Sequence, residues 1–125
     1  MLMKFNKTLT ADAIGEATFY PPEFITGEFL GVHIKRGTMT NFAVQLTAER
    51  DSIQRTLYNV TNPGDTDFTP VRTQAKDAAG AAIAGVYETF KLADEQLKVD
   101  LSGANDGETV DMSFIFEVKQ FATHR

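Results

Sequence analysis

The stretch Val110-Asp-Met-Ser-Phe-Ile-Phe-Glu-Val118 alternates between apolar and polar side chains over nine residues. Every second side chain is apolar, and only Ile115 interrupts the polar set between them. A period of two places successive side chains on opposite faces of an extended chain, so this stretch predicts a β-strand with one buried and one solvated face. We therefore expect an antiparallel β domain that acts through its surfaces.

The same alternation recurs along the chain. It is cleanest in residues 41–48 and 96–101, and in residues 28–36 it predicts that Leu30, Val32 and Ile34 share one face. Further strands are predicted over residues 3–10, 16–20, 52–61 and 108–118. Turn-forming residues separate them, most densely in the loops at residues 61–70 and 102–107. About seven or eight strands at this spacing are typical of an antiparallel β-sandwich or a small barrel.

Residues 77–85 differ from the rest because five of them are alanine. Alanine favours helix, whereas Gly80 and Gly85 limit its length. The composition predicts a loop with one short Ala-rich helix in an otherwise all-β fold.

The length of 125 residues fits one domain, residues 1–125, with a short N-terminal arm and a C-terminal tail at residues 121–125. The formal net charge is −5, and Lys35-Arg36 is the nearest approach to a basic cluster. Binding of nucleic acid requires clustered cations, so no nucleic-acid partner is expected.

The chain has no cysteine, which excludes disulfides, thiolate metal sites and a cysteine nucleophile. Residues 1–10 lack the apolar segment of a signal peptide, and no run approaches the ~20 apolar residues of a membrane span. We expect synthesis in a cytoplasm and no membrane partner.

Candidate catalytic and metal-binding residues are few. His33 lies within a predicted strand, and the other histidine, His124, lies in the tail. Asp94 and Glu95 are adjacent, which on a regular strand places them on opposite faces and not in an acid–base pair. No phosphate-binding loop, nucleophile elbow or zinc motif occurs. We therefore predict that the protein is not an enzyme and uses no cofactor.

Two loops resemble the beginning of a calcium loop. One contains Asp65 and Asp67, and the other is residues 105–108. Both lack the remaining ligands, including the bidentate glutamate, and turn formation explains both sequences. The prediction is that no metal site is present, with Asp65 and Asp67 as the alternative.

Aromatic side chains beside Pro21-Pro22 have no clear inward assignment from the alternation. These residues either plug one end of a sandwich or contact a partner, since aromatic residues are enriched in interfaces.

Three stretches resemble a known family. They are Leu9-Thr-Ala-Asp-Ala-Ile-Gly-Glu-Ala-Thr-Phe-Tyr20, Asp77-Ala-Ala-Gly-Ala-Ala82 and Leu92-Ala-Asp-Glu-Gln-Leu-Lys-Val-Asp-Leu101, the last followed by a Gly-containing turn and the alternating strand. Together they are similar to a family of small virion structural proteins of tailed bacteriophages, over nearly the whole chain. The chain departs from the family in residues 42–59 and in the tail at residues 121–125.

The resemblance implies a jelly-roll-like β-sandwich without enzymatic activity, incorporated into a virion after synthesis in the host cytoplasm. The expected role is a capsid decoration (cement) protein that works as a homo-oligomer and contacts the major capsid protein. The alternative within the virion is a neck, head–tail joining or tail component. An alternative of another class is a carbohydrate-binding module, although such modules often use tryptophan and this chain has none. The residues expected to contact the partner are Phe5, Phe19, Tyr20, Phe24, Ile25 and Phe68, together with the N-terminal residues 1–5.

Overall fold

The computed structural model describes residues 1–21 and 24–121, and this part of the chain contains ten β-strands and no helix. The predicted all-β antiparallel fold is confirmed, and the described chain has more strands than expected. The strands are β1 (Leu2–Thr10), β2 (Ala17–Phe19), β3 (Phe24–Arg36), β4 (Ala43–Arg50), β5 (Ile53–Thr61), β6 (Thr66–Pro70), β7 (Thr73–Lys76), β8 (Ala82–Glu88), β9 (Phe90–Ser102) and β10 (Thr109–Phe121).

Eight strands form one sheet in the order β1-β10-β3-β9-β4-β5, with β6 added to β3 and β2 added to β9. One edge of β3 pairs with β10, while the other edge changes partner from β9 at residues 24–29 to β6 at residues 31–34. In the same way β9 pairs with β3 over residues 90–96 and with β2 over residues 99–101. Because β3 and β9 separate in this way, the sheet divides into two layers, β1-β10-β3-β6 and β2-β9-β4-β5, which join at one end.

The apolar core collects the inward faces of the long strands. The five apolar side chains of residues 110–118 that alternate in the sequence are at most 5% exposed, as that pattern predicts. The predicted inward residues of positions 41–48 and of the second half of β9 are buried too: Phe42, Val44, Leu46, Ala48, Leu97, Val99 and Leu101. Burial of these side chains is the main favourable contribution to folding.

A bulge in β3 changes which side chains face the core. Gly31 pairs with Ile115 and Phe29 with Phe116, so Leu30 is an extra residue between two successive pairs. Because side chains alternate between the two faces of a strand, one extra residue shifts the alternation, and the residues beyond it face the opposite way. Phe29 is therefore fully buried and Leu30 only half-buried, whereas the alternation predicts the reverse.

The Ala-rich segment forms a β-hairpin, so the expected short helix is wrong in the described chain. Strands β7 and β8 pair with each other as a separate two-stranded sheet. Asp77 organises the turn, since its Oδ1 accepts hydrogen bonds from the backbone N–H groups of Ala79 (2.9 Å) and Ala81 (3.0 Å). Gly80 takes a φ of 86°, which alanine rarely adopts. A turn that needs a left-handed residue overrides the helix propensity of its neighbours.

The N-terminal segment is part of the sheet and not a free arm. Strand β1 pairs with β10 residue for residue from Leu2 to Thr10. The terminal amino group of Met1 also lies 2.5 Å from Glu117 Oε1. At the other end β10 continues to Phe121, and the rest of the predicted tail, residues 122–125, lies outside the described residues.

Candidate functional site

The six aromatic and aliphatic residues expected to contact a partner divide by burial. Ile25 is 1% exposed and belongs to the core, which removes it from the candidate surface. Phe5 is partly buried and packs edge-on against Phe116, with 5.7 Å between ring centroids. Phe19 is also partly buried, and Lys7 Nζ lies 5.0 Å from its ring centroid. These three side chains stabilise the sandwich.

Tyr20 and Phe68 are the members of the set that are clearly accessible. Tyr20 is 55% exposed and lies 5.9 Å from Lys98 Nζ, directly after β2. Phe68 is 47% exposed and lies on β6 against Gly31. A Cβ atom at residue 31 would come within 2.6 Å of two ring carbons of Phe68, so this close packing requires glycine. Tyr20 and Phe68 belong to opposite layers and do not form one patch.

Phe24 lies in an open groove at the corner where β4 turns into β5. The groove has a volume of about 400 Å³ and is lined by Phe24, Glu49, Arg50, Asp51, Asp94 and Gln96. The lining is mostly polar and acidic. Pro22 and Glu23, which precede Phe24, lie outside the described residues.

Beside this groove, two arginines complete the hydrogen bonding of β9 where its pairing with β4 ends. The last pair of that ladder is Glu49 with Gln96. Beyond it, Arg50 Nη1 donates to the carbonyl oxygen of Ala93 at 3.0 Å, and Arg55 Nη2 donates to that of Lys91. Both contacts lie at the surface, where the guanidinium groups take the place of the strand that has turned away.

Glu95 anchors Arg55 in this position. Its carboxylate accepts hydrogen bonds from Arg55 Nε at 3.0 Å and Nη2 at 2.7 Å, and from the backbone N–H of Ala93 at 2.9 Å. Asp94 has a φ of 56° and lies in a bulge of β9, so Leu92 and Glu95 are both buried although they are three residues apart. The sequence contains one sign of this arrangement, because Glu95 continues the inward alternation of β9 and a carboxylate on that face needs a cation. The arrangement is a structural brace.

The β7–β8 hairpin is the feature that the sequence patterns missed. We call residues 73–88 the hairpin arm. Every residue of β8 is exposed, including Ile83, Val86 and Tyr87, of which 39%, 47% and 61% of the surface is accessible. The two strands pack chiefly against each other. The signal in the sequence is Asp77 followed three residues later by Gly80, a turn pair between two short extended stretches.

The two ends of the eight-stranded sheet differ in charge. At one end β1 carries Lys4 and Lys7, a common way to protect an edge from pairing with another chain. At the other end the nine residues of β5 include one charged residue, Arg55, which is paired with Glu95. Tyr58 of β5 is half-buried, and this burial raises the pKa of its phenol above 10.0, so it stays neutral. Strand β5 is thus an edge with little protection.

The candidate catalytic and metal-binding residues do not assemble. Among the side chains that the structure describes, which do not include that of Asp67, no three His, Cys, Asp or Glu residues lie close enough to hold a metal ion. Asp65 accepts a hydrogen bond from the backbone N–H of Arg36 at 2.7 Å, and Glu108 accepts one from that of Asn105 at 2.8 Å. His33 is half-buried opposite Ser113 in β10, while His124 lies outside the described residues.

Comparisons of the chain with protein-family models, with curated proteins and with solved structures return no match. Among the residues with described positions, no helix has the length and hydrophobicity needed to cross a membrane.

Proposed function

We propose that this chain is a non-enzymatic structural protein of a tailed-phage virion, where it decorates the capsid and holds neighbouring capsid subunits together. The hairpin arm is the observation that carries the assembly role. Ile83, Val86 and Tyr87 are exposed on a strand that the sandwich does not support. An isolated two-stranded hairpin is marginally stable in water, so a second surface that covers it has an energetic advantage.

The resemblance of the sequence to small virion proteins supports a virion as the assembly to which this chain belongs. In a capsid, one decoration protein meets many equivalent sites, and oligomers are favoured because they match that symmetry. Each contact is weak alone. When several contacts are linked in one oligomer, the first to form raises the effective concentration at which the remaining sites meet their partners. The partner is then the major capsid protein, met by a homo-oligomer.

Tyr20 and Phe68 are the accessible aromatic residues that we assign to contacts with the shell. Because they belong to opposite layers, each meets a different capsid subunit. Both present partly exposed rings held by their neighbours, Tyr20 beside Lys98 and Phe68 on Gly31. A ring fixed in this way loses little conformational entropy on binding, which is one reason that aromatic residues dominate interfaces.

A neck or head–tail joining ring is the second candidate, since an arm that reaches a neighbour suits a closed ring as well as a shell. The two candidates differ in the number of copies per particle.

The contact assignment is tested with the double variant Tyr20→Ser and Phe68→Ser. Purified protein is mixed with particles that lack it, and the bound fraction is measured by co-sedimentation over a concentration series. We expect apparent affinity to fall at least about tenfold, because two buried aromatic contacts are lost.

Ile14→Ser is the matched control, since Ile14 is 75% exposed in the turn between β1 and β2 and has no assigned contact. It should bind like the unmodified chain. Normal binding by a correctly folded double variant would show that Tyr20 and Phe68 are not the contact residues.

A further inference from the structure

Two segments of this chain have strand edges that lack protection. The hairpin arm pairs with itself, so the outer edges of β7 and β8 carry backbone groups that are not used in the two-stranded ladder. Strand β5 ends the large sheet and pairs with β4 along one side only. Free backbone N–H and C=O groups along such edges pair readily with another strand.

The charges of the two segments select β5 as the acceptor. Residues 78–87 of the arm contain no charged side chain. On β5, Arg55 is the one charged residue and its guanidinium is held by Glu95. The opposite end of the sheet has two lysines, Lys4 and Lys7, whose desolvation would oppose the addition of an apolar strand.

The lengths of the two strands are also compatible. Strand β8 has seven residues and β5 has nine, which correspond to about 24 and 31 Å of extended chain. The shorter strand therefore fits along the longer one, with main-chain hydrogen bonds providing affinity and Val86 and Tyr87 providing apolar contacts.

We propose that the hairpin arm of one copy of this chain adds as a strand to the free edge of β5 in a second copy. Each copy has one arm and one β5 edge, so each both donates and accepts, and the exchange closes into a ring of two or more copies. Arm exchange deepens the proposed function, which requires an oligomer, and it is tested on the purified chain without particles.

The size of the arm predicts how strong this association is. A two-stranded arm about 24 Å long and 10 Å wide covers roughly 240 Å², well below the ~800 Å² per partner of a standard interface. One exchanged arm is thus too small for a stable complex, whereas a closed ring gives every copy two contacts that support each other. The oligomer should therefore form in a concentration-dependent way, and it should dissociate to monomers in one step, without smaller intermediates.

A protein edge suits the arm better than a lipid surface. Lipid tails offer no hydrogen bonds to the free edge of β8, so insertion would leave its backbone groups unsatisfied. The arm also lacks the cluster of basic residues that draws a segment to anionic lipids.

The test uses one variant for each half of the contact. Val86→Lys places a charge on the arm, and Asn59→Lys places one on exposed β5. Sedimentation equilibrium over a concentration series should show oligomers for the unmodified chain and, for each variant, self-association weakened at least about tenfold. Ile14→Lys is the control with the same added charge away from both edges, and it should assemble normally.

Mixing the two variants gives the most specific result. Val86→Lys retains an intact β5 edge and Asn59→Lys retains an intact arm, so a mixture can make one contact per pair of chains. It should form heterodimers and nothing larger, and only at protein concentrations well above those at which the unmodified chain assembles. Tyr87→Lys replaces Val86→Lys if circular dichroism shows that the latter is misfolded.

Three results would each overturn arm exchange. The first is an unmodified chain that stays monomeric over the whole series. The second is normal assembly by both edge variants, and the third is a monomer that binds vesicles of phosphatidylcholine and phosphatidylglycerol. None of these results bears on whether the protein is present in particles, which is measured separately.

Discussion

At the scale of single residues, Glu95 braces the point where β4 leaves the sheet. It lies on the buried face of β9 at a bulge, and it holds Arg55 against the carbonyl oxygen of Lys91. A buried carboxylate without a cation is costly, and the part-buried backbone N–H of Ala93 needs an acceptor. Glu95, paired with Arg55, meets both needs where β4 leaves the sheet.

Replacing Glu95 with alanine tests this brace. We expect the free energy of unfolding to fall by about 1–3 kcal/mol, because two backbone groups lose partners while the partly exposed Arg55 regains water. Urea denaturation followed by circular dichroism measures the change.

Asp51→Asn is the matched control for the brace. Asp51 lies 3.5 Å from Arg50 but its side chain is 85% exposed, and asparagine tolerates its left-handed φ of 52°. A change within about 0.5 kcal/mol is expected there. Equal losses in the two variants would mean that Glu95 has no special role.

At the scale of elements, the sequence predicts strands where alternation is uninterrupted. Strand β10 and the second half of β9 follow their patterns, since Phe114 and Leu97 lie inward as expected. The pattern fails where one extra residue enters a strand, at Leu30 in β3 and at Asp94 in β9. Side-chain polarity does not encode a bulge, because its location depends on the partner strand.

The bulge in β3 leads to a comparison of two neighbouring alanine variants. Phe29→Ala should destabilise the fold by about 3–5 kcal/mol, because it removes a fully buried ring. Leu30→Ala should cost less than about 2 kcal/mol, since Leu30 is half-buried. The losses are compared through the denaturation midpoints of both variants. A larger loss for Leu30→Ala would mean that Leu30 and not Phe29 faces the core, as uninterrupted alternation predicts.

At the scale of the whole molecule, the chain consists of a two-layered sandwich and a hairpin arm that the sandwich does not cover. The sequence patterns predict the sandwich because burial repeats with a regular period. They miss the arm because alanine-rich composition favours helix, while Asp77 and Gly80 impose a turn. Of the predicted contact residues, Tyr20 and Phe68 stay accessible, whereas Ile25 is buried because its side chain lies on the core face of β3.

The central claim, that this chain is a structural component of a virion, is tested most directly by counting its copies in purified particles. Quantitative mass spectrometry against the major capsid protein gives the ratio. We expect about one copy per capsid subunit, or one per a few subunits, as decoration of a symmetric shell requires. Roughly a few dozen copies or fewer would place the protein in the neck or tail, and its absence from particles would contradict the claim.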